Sequence, residues 1–206
     1  MTTRSAPDTE ELLQAVGRGD AHARERLLER HRAKLRRMVA IRLDRRLAAR
    51  VDPSDVVQES LAEANARLSD YVRDRPLPFY PWMRRIAADR ITDAYRRHLG
   101  AGRRSVKREE PPGLPGESVV ELANRLAAPT SGPSARLHRQ ERSGRVRDAL
   151  KSLPEKEREV LVLRYLEDLS TADAAAVMGV SESAIKMRLV RALQRLRDVL
   201  DEEDVS

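Results

Sequence analysis

The chain contains no cysteine, which excludes disulfide staples and thiolate-bound zinc. Its four histidines, His22, His31, His98 and His138, are scattered without the spacing of metal ligands. Aromatic residues are scarce: one Phe, one Trp and four Tyr in 206 residues. No apolar run approaches the ~18–20 residues that span a bilayer, so no membrane insertion is expected. The opening "MTTRSAPDTEELL" lacks the apolar stretch of a secretion signal, and a cytoplasmic protein is the expectation. Alternating Val/Ile-rich runs are also missing, while Leu, Ala and Arg abound, so the composition points to an all-α fold. Nor does the sequence carry a phosphate-binding loop or a nucleophile elbow. The carboxylate pairs Asp52/Asp55 and Asp89/Asp93 stand without catalytic company. Neither an enzyme nor a cofactor is expected.

What is present is charge, at 35% of residues with a net +7, and it is unevenly spread. Residues 84–108 hold nine Lys/Arg against Asp89 and Asp93, and residues 22–50 hold eleven against three acids. Residues 183–197 hold five and no acid. Residues 52–70, by contrast, set five acids against Arg67, and the tail from Asp198 onward has five acids and no base. A solvated helix usually mixes its signs. Separated basic stripes favour a polyanionic partner, of which nucleic acid is the commonest.

A break in composition runs from about Gly100 to Ser134, with five of the eleven prolines and five of the nine glycines. Helices cannot pass through "VKREEPPGLPGE" or "LAAPTSGPS", although "SVVELANRLAA" between them can form a short one. The chain therefore divides into two small helical domains, 8–100 and 135–200, joined by a flexible linker over 101–134.

In the first domain, Leu27, Leu35 and Met38 are candidates for the core. A helix begins after Val51, with Asp52 as its cap, Pro53 at its first position and Asp55 at its positive end. Val57, Leu61, Ala64 and Leu68 recur at helical spacing. Asp52, Asp55, Glu59 and Glu63 fall on the opposite side, which makes an acidic face fit for either solvent or a basic partner. Further on, "PFYPWMRRIAADR" (78–90) gathers three of the scarce aromatics. A helix is expected from Pro81, with Met83, Ala87, Ile91 and Ala94 inward and Arg85, Asp89, Thr92 and Arg96 outward. Phe79 and Tyr80 are expected on an extended loop before it. Aromatics beside a basic helix suit single-stranded nucleic acid, since every base offers a face to stack on. Phe79 reads as packing, whereas Trp82 suits packing and stacking equally.

The second domain is read from "SLPEKEREVLVLRYLEDLSTADAAAVMGVSESAIKMRLVRALQRLRDVL" (152–200). Pro154 opens a helix. Ser170 and Asp173 form a capping box for a short second one, Gly179 ends it, and Ser181 caps a third. Helix, tight glycine turn and longer helix make a helix-turn-helix. Ile185, Leu189, Ala192, Leu196 and Val199 line the inner side of the third helix. Its outer side carries Ser183, Met187, Val190 and Gln194, flanked by Lys186, Arg188, Arg191, Arg195 and Arg197. Flanking arginines can hold phosphates or guanine edges, and apolar residues between them can meet thymine methyls in a major groove. Arg195 and Arg197 fall late, at phosphate or in solvent.

Taken together, these motifs resemble the extracytoplasmic-function group of the sigma-70 family of RNA polymerase sigma factors. "DPSDVVQESLAEA" (52–64) is similar to the family's polymerase-binding helix. "FYPWMRRIAADRITDAYRR" (79–97) is similar to its segment that melts and reads the -10 element, and 153–197 to its -35-reading domain. The resemblance implies a transcription initiation factor whose partners are core RNA polymerase and promoter DNA, both duplex and single-stranded, with room for an anti-sigma factor. It assigns Asp52, Asp55, Gln58, Glu59 and Glu63 to the polymerase. Tyr80, Trp82, Arg85, Asp89, Arg90, Arg96 and Arg97 go to the -10 strand, and Ser183, Lys186, Met187, Arg188 and Arg191 to the -35 duplex. Asp89 departs from the family, which often has Asn there; an acid beside single-stranded DNA repels phosphate. The helix-turn-helix by itself also fits a stand-alone transcriptional regulator, which would bind duplex DNA unaided.

Overall fold

The computed structural model describes residues 8–98, 114–127 and 135–203, with side chains at 135–140 and 199–203 left aside. All regular elements among these residues are helical, and none of the helices is long and apolar enough to cross a membrane. The chain forms two compact units that divide between Pro112 and Gly113.

The first unit contains α1 (Thr9–Gly17), α2 (Ala21–Arg42), α3 (Arg45–Ala48), α4 (Pro53–Ala66), α5 (Leu68–Asp74) and α6 (Phe79–His98). Local sequence explains the starts. Asp8 closes a capping box with Glu11, and Asp20, Asp44 and Asp52 each accept a first-turn backbone N–H. Pro53 occupies a position where its missing N–H loses nothing. Helix α4 packs against α2 and α6, and α2 against α1 and α6. The seam is filled by Leu27, Leu35, Met38, Leu47, Leu68 and Met83, all essentially inaccessible. Val57, Leu61 and Ala64 are buried on α4 as their spacing predicts.

One expectation fails at the start of α6. Phe79 and Tyr80 are not on a loop: they form the first turn of the helix, and Trp82 N–H donates to the Pro78 carbonyl at 3.1 Å. Proline at the third helical position is tolerated because its absent N–H is one of the four that a helix start leaves unpaired. Burial of the two rings overrides the preference of the residue before proline for extended backbone.

The second unit contains α7 (Gly116–Leu126), α8 (Ala135–Ser152), α9 (Glu155–Leu161), a π-helical turn (Val162–Leu166), α10 (Thr171–Met178) and α11 (Glu182–Glu203). Helix α7 lies within the stretch expected to be linker, yet it packs against α8 and the π turn. Leu122 and Ala123 are fully buried there, and Arg125 donates to the Tyr165 carbonyl at 2.5 Å. An apolar stripe between two proline clusters is enough to dock a helix onto the unit. The remainder of the expected linker, 101–113 and 128–134, lies outside the described residues. Val160, Leu161, Val162, Leu163, Leu166 and Leu169 build the core under α10 and α11, and Ile185, Ala192 and Leu196 face it from α11.

Candidate nucleic-acid interface

In the second unit the turn motif forms as its residues require. Ser170 Oγ accepts the Asp173 N–H at 2.9 Å and caps α10. Gly179 ends α10 in the left-handed region at φ 63°, where a Cβ is disfavoured even though the space around it is open. Ser181 Oγ accepts the Ala184 N–H at 3.2 Å and opens α11.

The outer face of α11 carries the expected set. Ser183, Lys186 and Arg191 are exposed, and Arg188 is partly so. Met187 is 52% and Val190 48% exposed, an unusual outlay of large apolar side chains on a helix surface. Neither Lys186, Arg188 nor Arg191 is tied up in an ion pair with a described residue. Arg195, expected at phosphate or in solvent, keeps a side chain 57% exposed while its Nε lies 3.4 Å from the nearly buried Glu157 carboxylate of α9.

In the first unit, α4 presents Asp52, Asp55, Gln58 and Glu59 to solvent. Asp52 also caps, accepting the Ser54 N–H at 2.7 Å. Glu63 belongs to the same stripe in sequence but not in surroundings. Its side chain is 17% exposed, and Arg90 Nε donates to Glu63 Oε2 at 2.7 Å. A second Arg90 nitrogen closes on the same oxygen, while Arg67 reaches the other at 2.8 Å. The carboxylate raises the Arg90 guanidinium above its ordinary pKa, first by hydrogen bonding and then by charge. Around this pair, Glu59, Ala62, Glu63, Arg90, Asp93, Arg96 and Arg97 line an open cleft of about 760 Å³ between α4 and α6.

The aromatic cluster is mostly interior. Tyr80 is 4% exposed and so cannot offer its face to a base in this structure. Its hydroxyl donates to the Lys34 carbonyl at 3.2 Å, and the Lys34 ammonium sits 4.1 Å over its ring. Phe79 is equally buried, edge-on to Tyr71 and His31. Trp82 is half-buried, with its ring 4.5 Å from Tyr71 and 5.7 Å from Phe79. Packing and exposure therefore coexist in Trp82 alone. Along α6, Arg85, Asp89, Arg96 and Arg97 are exposed and Arg90 is partly covered. Arg96 lies 3.8 Å from Asp93.

Two features escaped the sequence reading. Arg84, next to the expected Arg85, is only 8% exposed; it follows the inward-facing Met83, and its burial is a matter of what packs beside that stripe. The joint between α3 and the end of α6 is also new. Tyr95 Oη accepts the Asp44 N–H at 3.3 Å, and Arg50 donates to the His98 carbonyl at 2.8 Å. Burial pushes the Tyr95 phenol up to about 12.

The family is settled by comparison with known proteins. Sigma-70, region 4 matches residues 143–196, the span from late α8 into α11. The ECF RNA polymerase sigma factor SigD of Mycobacterium tuberculosis is 32% identical over 180 residues, covering 87% of this chain and 78% of that protein. The RNA polymerase sigma factor CnrH of Cupriavidus metallidurans is 33% identical over 151 residues, covering 73% of this chain and 74% of that one. The solved structure of CnrH in complex with the cytosolic domain of CnrY aligns over 95% of this chain and 99% of that chain, at 26% identity and a TM-score of 0.49. The chain belongs to the extracytoplasmic-function group of RNA polymerase sigma factors. It is a transcription initiation factor that directs RNA polymerase to promoters, and the reading as a stand-alone regulator is not favoured.

Proposed function

We propose that the two units divide promoter recognition between them. In this reading the α11 face of Ser183, Lys186, Met187, Arg188 and Arg191 enters the major groove at the -35 element. The observation that carries it is the exposed Met187–Val190 strip bordered by cations that form no ion pair with a described residue. Apolar side chains held out to water are stabilised on binding by contact with thymine methyls, while arginines beside them reach phosphates and guanine edges. The first unit binds core polymerase through Asp52, Asp55, Gln58 and Glu59. It holds the -10 strand along α6 with Trp82, Arg85, Arg96 and Arg97, and Asp89 lies within that face. Tyr80 contributes as a buried support for the helix start, because its ring is already occupied.

On this account the protein supplies no catalytic group. It lowers the free energy of strand opening by giving unstacked bases and displaced phosphates a place to bind. It works in the cytoplasm on core RNA polymerase, and an anti-sigma factor would act by covering either face. The test is binding and transcription with purified core polymerase. The full chain is expected to co-purify with core and to give promoter-specific transcripts that Arg191→Ala reduces on templates with an intact -35 element. Failure to bind core would end this reading.

A further inference from the structure

Glu63 and Arg90 were assigned by sequence to two different partners, the first to polymerase and the second to DNA. The structure has them bound to each other. Glu63 is the least exposed acid of its stripe, at 17%, and both of its oxygens are engaged, one by Arg90 and one by Arg67. Arg90 directs its guanidinium across the α4–α6 seam instead of along the outer face of α6. A carboxylate held by two guanidinium groups has little attraction left for a third cation on another protein. A guanidinium that gives its Nε and one terminal nitrogen to a carboxylate has likewise committed that edge of its fork, and its charge is already balanced before a phosphate arrives.

We propose that Glu63 is a positioning residue for strand capture and not a docking residue. It ties Arg90 to α4 and so withholds one positive charge from the DNA face of α6. The phosphate contacts that α6 adds to promoter affinity then come from Arg85, Arg96 and Arg97, with Arg90 silent while Glu63 holds it. This assignment rests on the division of labour proposed above. It makes the two residues behave opposite to their places in the sequence: the acid governs DNA binding, and the base does not touch DNA.

The experiment uses the full chain with core polymerase and a promoter duplex. It measures core affinity by fluorescence anisotropy and promoter affinity across a potassium chloride series. Glu63→Gln is expected to keep core affinity within about twofold. It should also steepen the dependence of log affinity on log salt by about one unit, as Arg90 is released to a phosphate. Arg90→Gln is expected not to lower that slope by the roughly one unit that a lost phosphate contact removes. The double variant should return to the wild-type slope. A drop of about tenfold or more in core affinity for Glu63→Gln would restore it as a docking residue and overturn the proposal. So would an unchanged slope in that variant, or a slope reduced by about one in Arg90→Gln. Thermal melting of the free protein supplies the control for folding. The exchanged pair E63R/R90E should regain melting stability lost by either single change, and additive losses would contradict the pairing. Failure of the wild-type chain to bind core would strike the functional reading instead, leaving the melting cycle to judge the pair.

Discussion

The two units handle exposed apolar and aromatic side chains in opposite ways. The first gathers the chain's scarce rings at the start of α6 and turns them inward: Phe79 and Tyr80 are each 4% exposed and only Trp82 keeps an open side. The second holds Met187 and Val190 out in solvent at about half exposure. On the division proposed above, a unit that captures strand needs a rigid helix start, and an aromatic cluster supplies one by filling volume beneath it. On the same division, a unit that reads a duplex needs a face that is shaped before the groove arrives, and apolar side chains between arginines provide it. Aromatic residues near a basic helix thus announce rigidity first and base contact second.

The contrast can be broken most forcefully at the ring cluster. Phe79→Ala should cost about 3–5 kcal/mol of stability by denaturant unfolding. A loss confined to DNA binding, with stability intact, would put the ring on the surface after all. On the other unit, Arg191→Ala should weaken binding to promoters bearing a -35 element by about 1–3 kcal/mol and leave the unfolding midpoint nearly unchanged. Destabilisation without loss of affinity would make α11 a structural helix only. Smaller still is Gly179→Ala, expected to cost about 1–2 kcal/mol of stability because a Cβ must sit in the left-handed region. The surrounding space is open, so no clash adds to the figure. The smallest expected effect is Asp89→Asn. It removes an exposed like charge from the DNA face and should raise promoter affinity by about 0.2–1 kcal/mol, fading at high salt. A fall in affinity would show that the acid contacts a base.

The helix-turn-helix was legible residue by residue. Its caps, its glycine and the buried Ile185, Ala192 and Leu196 of its inner stripe are all local signals, and Ser170, Gly179 and Ser181 act within four residues of themselves. The acidic α4 face was legible for the same reason, with Asp52 and Pro53 marking its start. Other features depended on partners far along the chain. Glu63 meets Arg90 across 27 residues, and Tyr80 reaches the Lys34 carbonyl across 46. Arg195 meets Glu157 between two helices. Charge spacing on one helix gives the face a side chain occupies but not which neighbouring helix has already claimed it. The expected loop at Phe79 and Tyr80 failed similarly, since burial against Tyr71 and His31 outweighed a local preference. The short helix expected within the proline-rich stretch forms as α7, and the burial of Leu122, Ala123 and Ala127 accompanies its packing against α8.

The most direct test of the division between the units is permanganate probing of unpaired thymines on a promoter, with and without core polymerase. Reactive thymines should arise only with the holoenzyme, and only in the -10 region. Arg85→Ala should suppress that reactivity on a promoter still occupied at -35, and Arg191→Ala should reduce occupancy itself. Equal loss of -35 occupancy in both variants, or specific binding by the free protein without any opening by the holoenzyme, would contradict the account.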